Sequence, residues 1–309
     1  MADDERESLL LLKPFLERRA AIIREIREFF NGRGFFEVDT PIRVPSLAPE
    51  AYITPLTSEG WYLITSPELH MKRLLSAGYE KIFQICHCFR KGERGRWHNP
   101  EFTMLEWYRA RADYIKMIDD TTELLDFLVQ KMGMTKQFIY RGKKVDISSP
   151  WYRITVSEAF KKYCGWDPIE TPDALKFDLD LVEKVIPSLP EDRPVVLVDY
   201  PAPMASLSRL KSSDLRVAER AEVFICGLEI ANAFSELNDV TEQERRFRKE
   251  IELIKNKQGR TMDMPVKFLE SLKNMPEAGG IALGVDRLVM LFCDTDRIDQ
   301  VLPFTVDTA

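Results

Sequence analysis

The segment 89–108, FRKGERGRWHNPEFTMLEWY, restricts the fold of this chain more than any other segment. Residues 81–89 before its loop and residues 101–109 after it are rich in β-branched and aromatic side chains, which favour strands. The pattern predicts a long hairpin with a cationic loop between two half-buried strands. Arg90 offers a planar fork for a phosphate or a carboxylate, and Phe102 offers a flat apolar face for a purine. The segment therefore predicts either a nucleotide site or an ordinary hairpin with a solvated loop.

Alternation along the two strands predicts which side chains share a face. The second strand is expected to place four side chains on one face: Phe102, Met104, Glu106 and Tyr108. On the first strand, Cys86, His87 and Cys88 are residue types that bind zinc. Alternation sends His87 to the face opposite the two cysteines, and no second cluster of ligands follows. We therefore expect no metal site there.

Composition places the chain among soluble globular proteins, with 45% hydrophobic and 30% charged residues over 309 positions. No apolar run approaches the roughly 18 residues of a membrane span, and the acidic N-terminus has the wrong polarity for a secretory signal. The five cysteines are scattered and odd in number, which suits the reduced thiols of a cytoplasmic protein. A net charge of −6 argues against a chain built chiefly to grip a polynucleotide.

The chain is expected to form one domain, 1–309, with an insertion at about 135–192, because no repeat or flexible linker divides it. Hydrophobic spacing and capping residues predict helices over 17–31, 66–77, 114–132, 241–258 and 286–293. Strands are predicted over 34–41, 195–198 and 222–229.

Acidic residues around the predicted strand 222–229 form a second candidate site. Glu222 and Glu229 point to opposite faces of such a strand unless a bulge or turn at Gly227 intervenes. With a bulge, the two carboxylates could share divalent cations with a nucleotide, because Mg²⁺ selects hard oxygen ligands and phosphates. Glu236 lies among mostly apolar residues and needs a cationic partner such as a substrate ammonium. The alternative is that these acids are surface or salt-bridged residues.

The Gly-rich string GGIALGVDR, residues 279–287, forms the third candidate site. Small residues alternate with aliphatic ones, which predicts a strand that allows close backbone approach to a ligand. Asp286 is expected to cap the following helix, and Arg287 to lie in its first turn, where anions are favoured. The string lacks the spacing of a dinucleotide-binding or phosphate loop, so neither of those folds is predicted. The alternative is tight packing between strand and helix.

Together these segments resemble the three motifs of class II aminoacyl-tRNA synthetases, at about 17–45, 81–112 and 279–293. The strings HNPEFTMLEWY and GLEIANAFSELND resemble the lysyl branch of that class, and the resemblance covers residues 15–309. It implies an α+β fold in which helices flank an antiparallel sheet. It also implies a homodimer that pairs through the first motif.

The first motif begins within about twenty residues of Met1, which leaves no room for the anticodon-binding domain of a lysyl-tRNA synthetase, about 150 residues long. Full motifs without that domain resemble the elongation factor P lysine ligase family. This family implies an enzyme that activates (R)-β-lysine, and α-lysine less well, with ATP. It would transfer the acyl group to a lysine ε-amine of elongation factor P. The expected partners are that protein and a second copy of the chain, with no stable tRNA binding and no membrane.

The resemblance also implies roles for individual residues. Arg90 and Arg287 would be catalytic and hold the α- and γ-phosphates of ATP. The other expected ATP contacts are Lys91, Gly92, Glu93, His98, Asn99, Phe102, Glu229, Ile230 and Gly284. Glu222 and Glu229 would bind Mg²⁺. The expected amino-acid contacts are Ser66, Pro67, Glu68, Tyr108, Asn232, Glu236 and Ala282, with Glu68 near the backbone-type amine and Tyr108, Asn232 and Glu236 near the distal ammonium.

Two positions depart from the lysyl-tRNA synthetase pattern. Those enzymes have glycine where this chain has Ala282, and the ligase family has alanine. The extra methyl in a packed pocket costs about 1–3 kcal/mol, which would select a β- over an α-amino acid unless the swap is neutral. The second motif usually reads Phe-Arg-x-Glu, whereas here Gly92 stands at the position of the acid and Glu93 follows. Glu93 is expected either to reach the adenine amino group through an altered loop or to lose that contact.

Three other functions stay open. They are a truncated lysyl-tRNA synthetase that acts on tRNA or makes free adenylate, a non-catalytic lysine-binding regulatory paralogue, and an amide-forming synthetase on the same scaffold. The acidic charge and the absence of an anticodon-binding domain weigh against the first. The second is disfavoured by the retained residues Arg90, Glu229, Glu236 and Arg287. The third is disfavoured by the lysine-type residues Tyr108 and Glu236.

Overall fold

The computed structural model describes residues 2–309, with side chains from residue 5 onward. The helices are α1 (Ala2–Gly32), α2 (Glu68–Ser76), α3 (Tyr114–Lys131), α4 (Val156–Cys164), α5 (Ala174–Asp180), α6 (Ile186–Ser188), α7 (Val240–Gln258), α8 (Val266–Leu272) and α9 (Val285–Phe292). The strands are β1 (Phe36–Glu37), β2 (Arg43–Val44), β3 (Thr57–Ser58), β4 (Trp61–Leu63), β5 (Lys81–Phe89), β6 (Glu101–Ala110), β7 (Gln137–Tyr140), β8 (Lys143–Asp146), β9 (Tyr152–Thr155), β10 (Val195–Pro201), β11 (Leu210–Lys211), β12 (Asp214–Ile225), β13 (Leu228–Ser235) and β14 (Ala278–Gly284). Within residues 2–309, no helix combines the length and the apolar composition that crossing a membrane requires.

The chain divides into two compact units, which are described separately. Unit 1 takes in the chain up to Ala110, Asn238–Pro276 and Gly284–Ala309. Unit 2 takes in Arg111–Leu237 and Glu277–Leu283. The organisation as a single domain with an insertion at about 135–192 stays a prediction. The insertion segment holds the β7–β8 hairpin, β9 and the helices α4 to α6.

In unit 1 the long hairpin β5–β6 is the central element. Its nine paired positions run from Lys81 opposite Arg109 to Phe89 opposite Glu101, as the apolar pattern predicts. One face of the hairpin packs on α1, where the ring of Phe30 stacks on Phe83 at 4.8 Å and lies 5.1 Å from Trp107. This aromatic packing fixes the hairpin against the helix and leaves its other face for polar residues.

The first predicted helix and strand have different bounds in the structure. The helix predicted from residue 17 begins at Ala2 and includes Pro14. The strand predicted over 34–41 is reduced to β1, which pairs in parallel with β5 at Phe36 and Glu37. The pairing of β1 with β5 therefore ends before Pro41, a residue that has no N–H to donate to a strand ladder.

Unit 2 is built on a sheet with the strand order β14-β13-β12-β10-β9, and β11 joins at β12. The pairs are antiparallel except for β10 with β9. One side of this sheet packs on α4 and α5, where the rings of Phe160 and Phe177 stack at 4.7 Å. The antiparallel sheets with flanking helices in the two units confirm the predicted α+β class.

The prediction of a single strand over 222–229 is wrong. β12 ends at Ile225, a tight turn at Cys226 and Gly227 reverses the chain, and β13 begins at Leu228. Both turn residues have positive φ, 50° and 73°, which is the conformation that two-residue hairpin turns require. Cysteine is an unusual residue for that position, so the sequence carries only half of the turn signal.

Gly279 on β14 gives a stability prediction for unit 2. A Cβ at this position would lie 2.7 Å from the carbonyl oxygen of Asp113 and 2.8 Å from the Sδ of Met117. Gly279→Ala is therefore expected to lower the free energy of unfolding by about 1–3 kcal/mol, measured by urea denaturation. Gly32→Ala is the control, because a Cβ there meets nothing within 4 Å. Equal unfolding free energies for the two variants would contradict the close packing.

Candidate active site

The hairpin β5–β6 brings the predicted polar side chains of unit 1 to one face. Tyr108 donates a hydrogen bond to Glu106 at 2.8 Å, so these two residues share a face as alternation predicts. On β5 the sulfurs of Cys86 and Cys88 lie 3.9 Å apart on one side. His87 is exposed on the other side, with Nδ1 3.0 Å from a carboxylate oxygen of Glu101. The predicted separation of His87 from the cysteines is confirmed.

Arg90 and Phe102 lie together at the open end of this hairpin. The guanidinium of Arg90 lies 5.1 Å from the centre of the Phe102 ring, and its main-chain N–H donates to Pro100. Gly92 has a φ of 81°, which an L side chain rarely adopts. The loop therefore turns back at Gly92 and places Glu93 with a carboxylate oxygen 3.7 Å from Arg90.

The other expected ATP contacts of unit 1 lie in the same loop and at the start of α9. Arg287 Nη2 is 2.7 Å from His98 Nε2, so the two predicted phosphate and nucleotide contacts touch each other. Asn99 Nδ2 donates to the carbonyl of Glu101 at 2.6 Å, which holds its amide in place. Lys91 is exposed, and its N–H donates to Thr54. Gly284 is the residue before α9, where a Cβ would make ordinary contact with Arg287.

Asp286 does not cap α9, contrary to the sequence prediction. The cap position is Gly284, and no side chain makes a capping hydrogen bond there. Asp286 is 2% exposed and instead accepts a hydrogen bond from Arg19 at 2.5 Å and from the N–H of Thr103 at 2.8 Å. The buried carboxylate thus ties α1, β6 and α9 together, and we find no signal for this contact in local sequence.

The expected amino-acid contacts of unit 1 belong to one network around Glu106. Ser66 Oγ donates to Glu106 at 2.6 Å and accepts from the N–H of Glu68 at 3.0 Å. Glu68 pairs with the ammonium of Lys72 four residues later on α2. Pro67 lies at the cap position of α2 and makes no side-chain capping contact. We call these residues the Glu106 network: Ser66, Glu68, Lys72, Glu106 and Tyr108.

Burial dominates the electrostatics of this network. The pKa of Glu106 is raised from 4.5 to about 7, chiefly because burial removes the carboxylate from water and secondly because Glu68 is negatively charged. The hydrogen bonds from Ser66 and Tyr108 and the charge of Lys72 lower the pKa but do not offset burial. Both hydroxyl protons point at Glu106, so the lone pairs of the Tyr108 oxygen can accept a hydrogen bond from a cationic ligand.

In unit 2 the turn at 226–227 and a bulge bring the acidic residues onto the same face of the sheet. Glu222 lies directly opposite Asn232, which in turn lies opposite Ala282, so these three positions form a row across three strands. The register shifts between Val223 and Phe224, and Glu229 then pairs with Phe224. The conditional prediction that a turn or bulge at Gly227 brings Glu222 and Glu229 near each other agrees with this geometry.

The charges around Glu222 are partly balanced. Arg220 Nη2 donates to Glu222 at 2.6 Å, and the guanidinium lies 4.4 Å from the centre of the Tyr200 ring. Burial raises the pKa of Glu222, Arg220 opposes this, and the nearby charge of Glu229 raises the pKa further. Two neighbouring carboxylates supply the hard oxygen donors that Mg²⁺ binds together with phosphate oxygens.

The remaining predicted residues of unit 2 lie on β13 or directly after it. Glu236 is 1% exposed just after β13, and its N–H donates to Ala278 at 2.8 Å. Asn232 is half-buried, and its Oδ1 has no hydrogen-bond partner among residues 2–309. Ile230 lies at the bulge, and its side chain is 1% exposed. Any contact of Ile230 with a ligand would therefore involve its backbone.

Comparison with known proteins gives the family. Residues 11–308 match the family described as class II tRNA synthetases (D, K and N). The chain belongs to this family. Relatives named elongation factor P–(R)-β-lysine ligase include one from Enterobacter sp. (strain 638), 38% identical over 96% of each chain. Another from Mannheimia succiniciproducens is 39% identical over 94% of each chain, and one from Haemophilus ducreyi is 37% identical over 95% of this chain and 94% of the relative.

The match confirms the class II synthetase family and fold that the three motifs predict. With relatives that are named as ligases, it makes the chain an ATP-dependent ligase of class II. Sequence reasoning nevertheless missed three cations that pair with buried or half-buried acids. Lys72 is absent from the expected contacts, although its spacing of four from Glu68 is a helix ion-pair signal. Arg19 was missed because its partner Asp286 lies far along the chain on α9, and Arg220 was missed although Glu222 lies only two residues away on β12.

The raised pKa of Glu106 predicts how stability depends on pH. Below pH 4.5 the acid is protonated in both the folded and the unfolded chain, and this part of the stability is fully present. As pH rises from 4.5 through about 7, only the unfolded chain ionises freely, so stability is lost. Relative to Glu106→Gln, the wild-type chain is expected to lose about 3 kcal/mol of unfolding free energy over this range. Urea denaturation at a series of pH values measures it, and a constant difference would contradict the prediction.

Proposed function

We propose that this chain activates (R)-β-lysine with ATP as an aminoacyl-adenylate and transfers it to the ε-amine of a lysine of elongation factor P. The observation that carries the proposal is the match along nearly the full length of relatives that bear this activity in their name. The charged groups in each unit agree with it, since cations lie where phosphates are expected and acids where amines are expected. α-Lysine is the poorer substrate in this proposal.

We assign the phosphate and nucleotide contacts of unit 1 to the open end of the hairpin. Arg90 holds the α-phosphate and the substrate carboxylate, Phe102 stacks on adenine, and Arg287 holds the γ-phosphate. His98 and Asn99 contact the nucleotide. The 3.7 Å contact between Arg90 and Glu93 supports a role for Glu93 in ordering Arg90 in place of an adenine contact. We also assign ATP contacts to the backbone of Lys91, Gly92 and Gly284.

We assign the metal and further substrate contacts to unit 2. Glu222 and Glu229 would hold Mg²⁺, which would neutralise phosphate charge, and Ile230 would contact ATP through its backbone. Asn232 and Glu236 would accept hydrogen bonds from a substrate ammonium. In unit 1, Tyr108 has the same role, and Glu68, positioned by Ser66 and Pro67, would meet the other amine.

The chemistry needs no nucleophile from the protein. The substrate carboxylate is already ionised; its oxygen bonds to the α-phosphorus, and the bond from that phosphorus to pyrophosphate breaks. The acceptor amine then bonds to the acyl carbon, AMP leaves with the electron pair, and the amine proton goes to solvent. Arg90 and Arg287 contribute by position and charge, which is the main form of catalysis in such transfers.

We also propose that the chain forms a homodimer through the first motif. Phe36 and Ile42 are apolar, are 60% and 43% exposed, and lie within residues 17–45. Exposed apolar side chains of this size are typical of interaction surfaces. Stable tRNA binding is not part of the proposal, because the net charge is −6.

Intact mass spectrometry tests the proposed function directly. The purified chain, ATP and Mg²⁺ are incubated with elongation factor P and either (R)-β-lysine or α-lysine. We expect a mass gain of one lysyl group, larger in yield with (R)-β-lysine, and none with Arg287→Ala, which removes a phosphate contact. A parallel incubation with total tRNA is the control for a synthetase. No mass gain with either amino acid, or charging of tRNA instead, would overturn the proposal.

Ala282 predicts the amino-acid preference. Its methyl lies on the row with Glu222 and Asn232, so removing it gives space beside two proposed ligand contacts. Ala282→Gly is expected to raise the α-lysine to (R)-β-lysine ratio of kcat/KM about ten-fold in ATP–pyrophosphate exchange. Ala221→Gly is the control, because it makes the same change on the opposite face of β12. An unchanged ratio in the Ala282 variant would show that Ala282 is not the selector.

A further inference from the structure

Lys72 on α2 is a fully buried cation inside unit 1. Its side chain is 0% exposed, and its ammonium bonds to the carboxylate of Glu68, which is 14% exposed. Removing an ammonium from water carries a large free-energy cost, so a buried lysine needs a use for its charge. A surface ion pair of the same helical spacing contributes little to stability, so the spacing alone does not explain why Lys72 is buried.

Ser66 connects the Lys72–Glu68 pair to the second carboxylate. Its hydroxyl accepts from the N–H of Glu68 and donates to Glu106. The negative charge of Glu68 raises the pKa of Glu106, and the positive charge of Lys72 lowers it. When both carboxylates are ionised, the three charged groups sum to −1. The network therefore offers one uncompensated negative charge to a ligand.

We propose that Lys72 is a positioning residue for the amino-acid substrate: it fixes the Glu68 carboxylate and compensates one of the two acids, leaving one negative charge for a substrate ammonium. This inference rests on the proposed function. Lys72 does not itself touch the substrate. It acts through Glu68 and Glu106, and so it affects binding of the amino acid and not of ATP.

Other groups that face Glu106 do not replace this charge. Tyr108 and Ser66 are neutral donors to the two carboxylate oxygens. Gln84 lies directly opposite Glu106 on β5 and is neutral, and Cys88 on the same strand has a pKa raised by its hydrogen bond to Cys86 and by burial, so its thiol stays protonated. Arg90 acts on Cys88 from the end of the strand. Lys72 is therefore the cation whose charge lowers the pKa of Glu106.

The kinetic test uses Lys72→Met, which shortens the unbranched side chain by one atom and removes its charge. We expect the KM for (R)-β-lysine in ATP–pyrophosphate exchange to rise at least about ten-fold, while the KM for ATP changes less than about two-fold. Gln243→Met is the matched control, because Gln243 on α7 is also 0% exposed and polar. An unchanged KM for the amino acid, or an equal rise for ATP, would overturn the proposal.

A second readout does not depend on activity. Nuclear magnetic resonance of ¹³C-labelled glutamate follows the titration of Glu106, assigned by its loss in Glu106→Gln. Lys72→Met is expected to move that titration upward by about one pH unit or more, because a nearby cation is lost. If the titration of Glu106 does not move, the proposal for Lys72 is overturned. If the wild-type chain shows no pyrophosphate exchange, that result by itself contradicts only the proposed function.

Lys72→Arg keeps the proposal testable if the methionine variant does not fold. Arginine keeps the positive charge but has a larger, planar head. We expect the titration of Glu106 to stay close to that of the wild-type chain while the KM for (R)-β-lysine rises, because Glu68 is displaced. A wild-type KM with arginine would show that the position of Glu68 does not depend on Lys72.

Discussion

The carboxylate of Glu106 is held away from water on the inner face of the β5–β6 hairpin, and the residues around it reflect the cost of that burial. Tyr108 and Ser66 each donate to one of its oxygens, and Lys72 supplies a positive charge nearby. These contacts do not restore the ordinary pKa of a carboxyl group. The hairpin is instead held by apolar packing on its other face, where Phe30 stacks on Phe83. Apolar packing on one face of the hairpin therefore offsets the free-energy cost of burying the Glu106 carboxylate on the other face.

Two further buried acids follow the same physical rule. Asp286 accepts from Arg19 and from the backbone of Thr103, and Glu222 accepts from Arg220. Arg19 lies on α1, whereas Asp286 lies on α9. Arg220 lies on the same strand as Glu222, two residues away. Removing one partner would leave an uncompensated buried charge, which costs more than the pair contributes. These pairs consequently fix positions more than they add stability.

The sequence predicted the elements whose signals are local. The hairpin has two long apolar strands around a polar loop, and the position of Glu106 and Tyr108 on one face follows from alternation alone. The turn at Cys226 and Gly227 was predicted only as a condition, because cysteine is not a turn residue and Gly227 alone gave a signal. Asp286 looked like a helix cap because capping is also a local pattern, but burial beside Arg19 decided its contacts. Long-range pairs of this kind cannot be predicted from spacing.

Selectivity in the proposed function divides between charge and shape. A buried network with one uncompensated negative charge favours a cationic amino acid, but charge alone does not distinguish α-lysine from (R)-β-lysine, because both carry two ammonium groups. That distinction needs a steric difference at the amine, and Ala282 differs from the glycine of the lysyl-tRNA synthetase pattern by one methyl. In the proposed function the charged network would set the class of substrate at a cost in stability, whereas the methyl of Ala282 would select within that class.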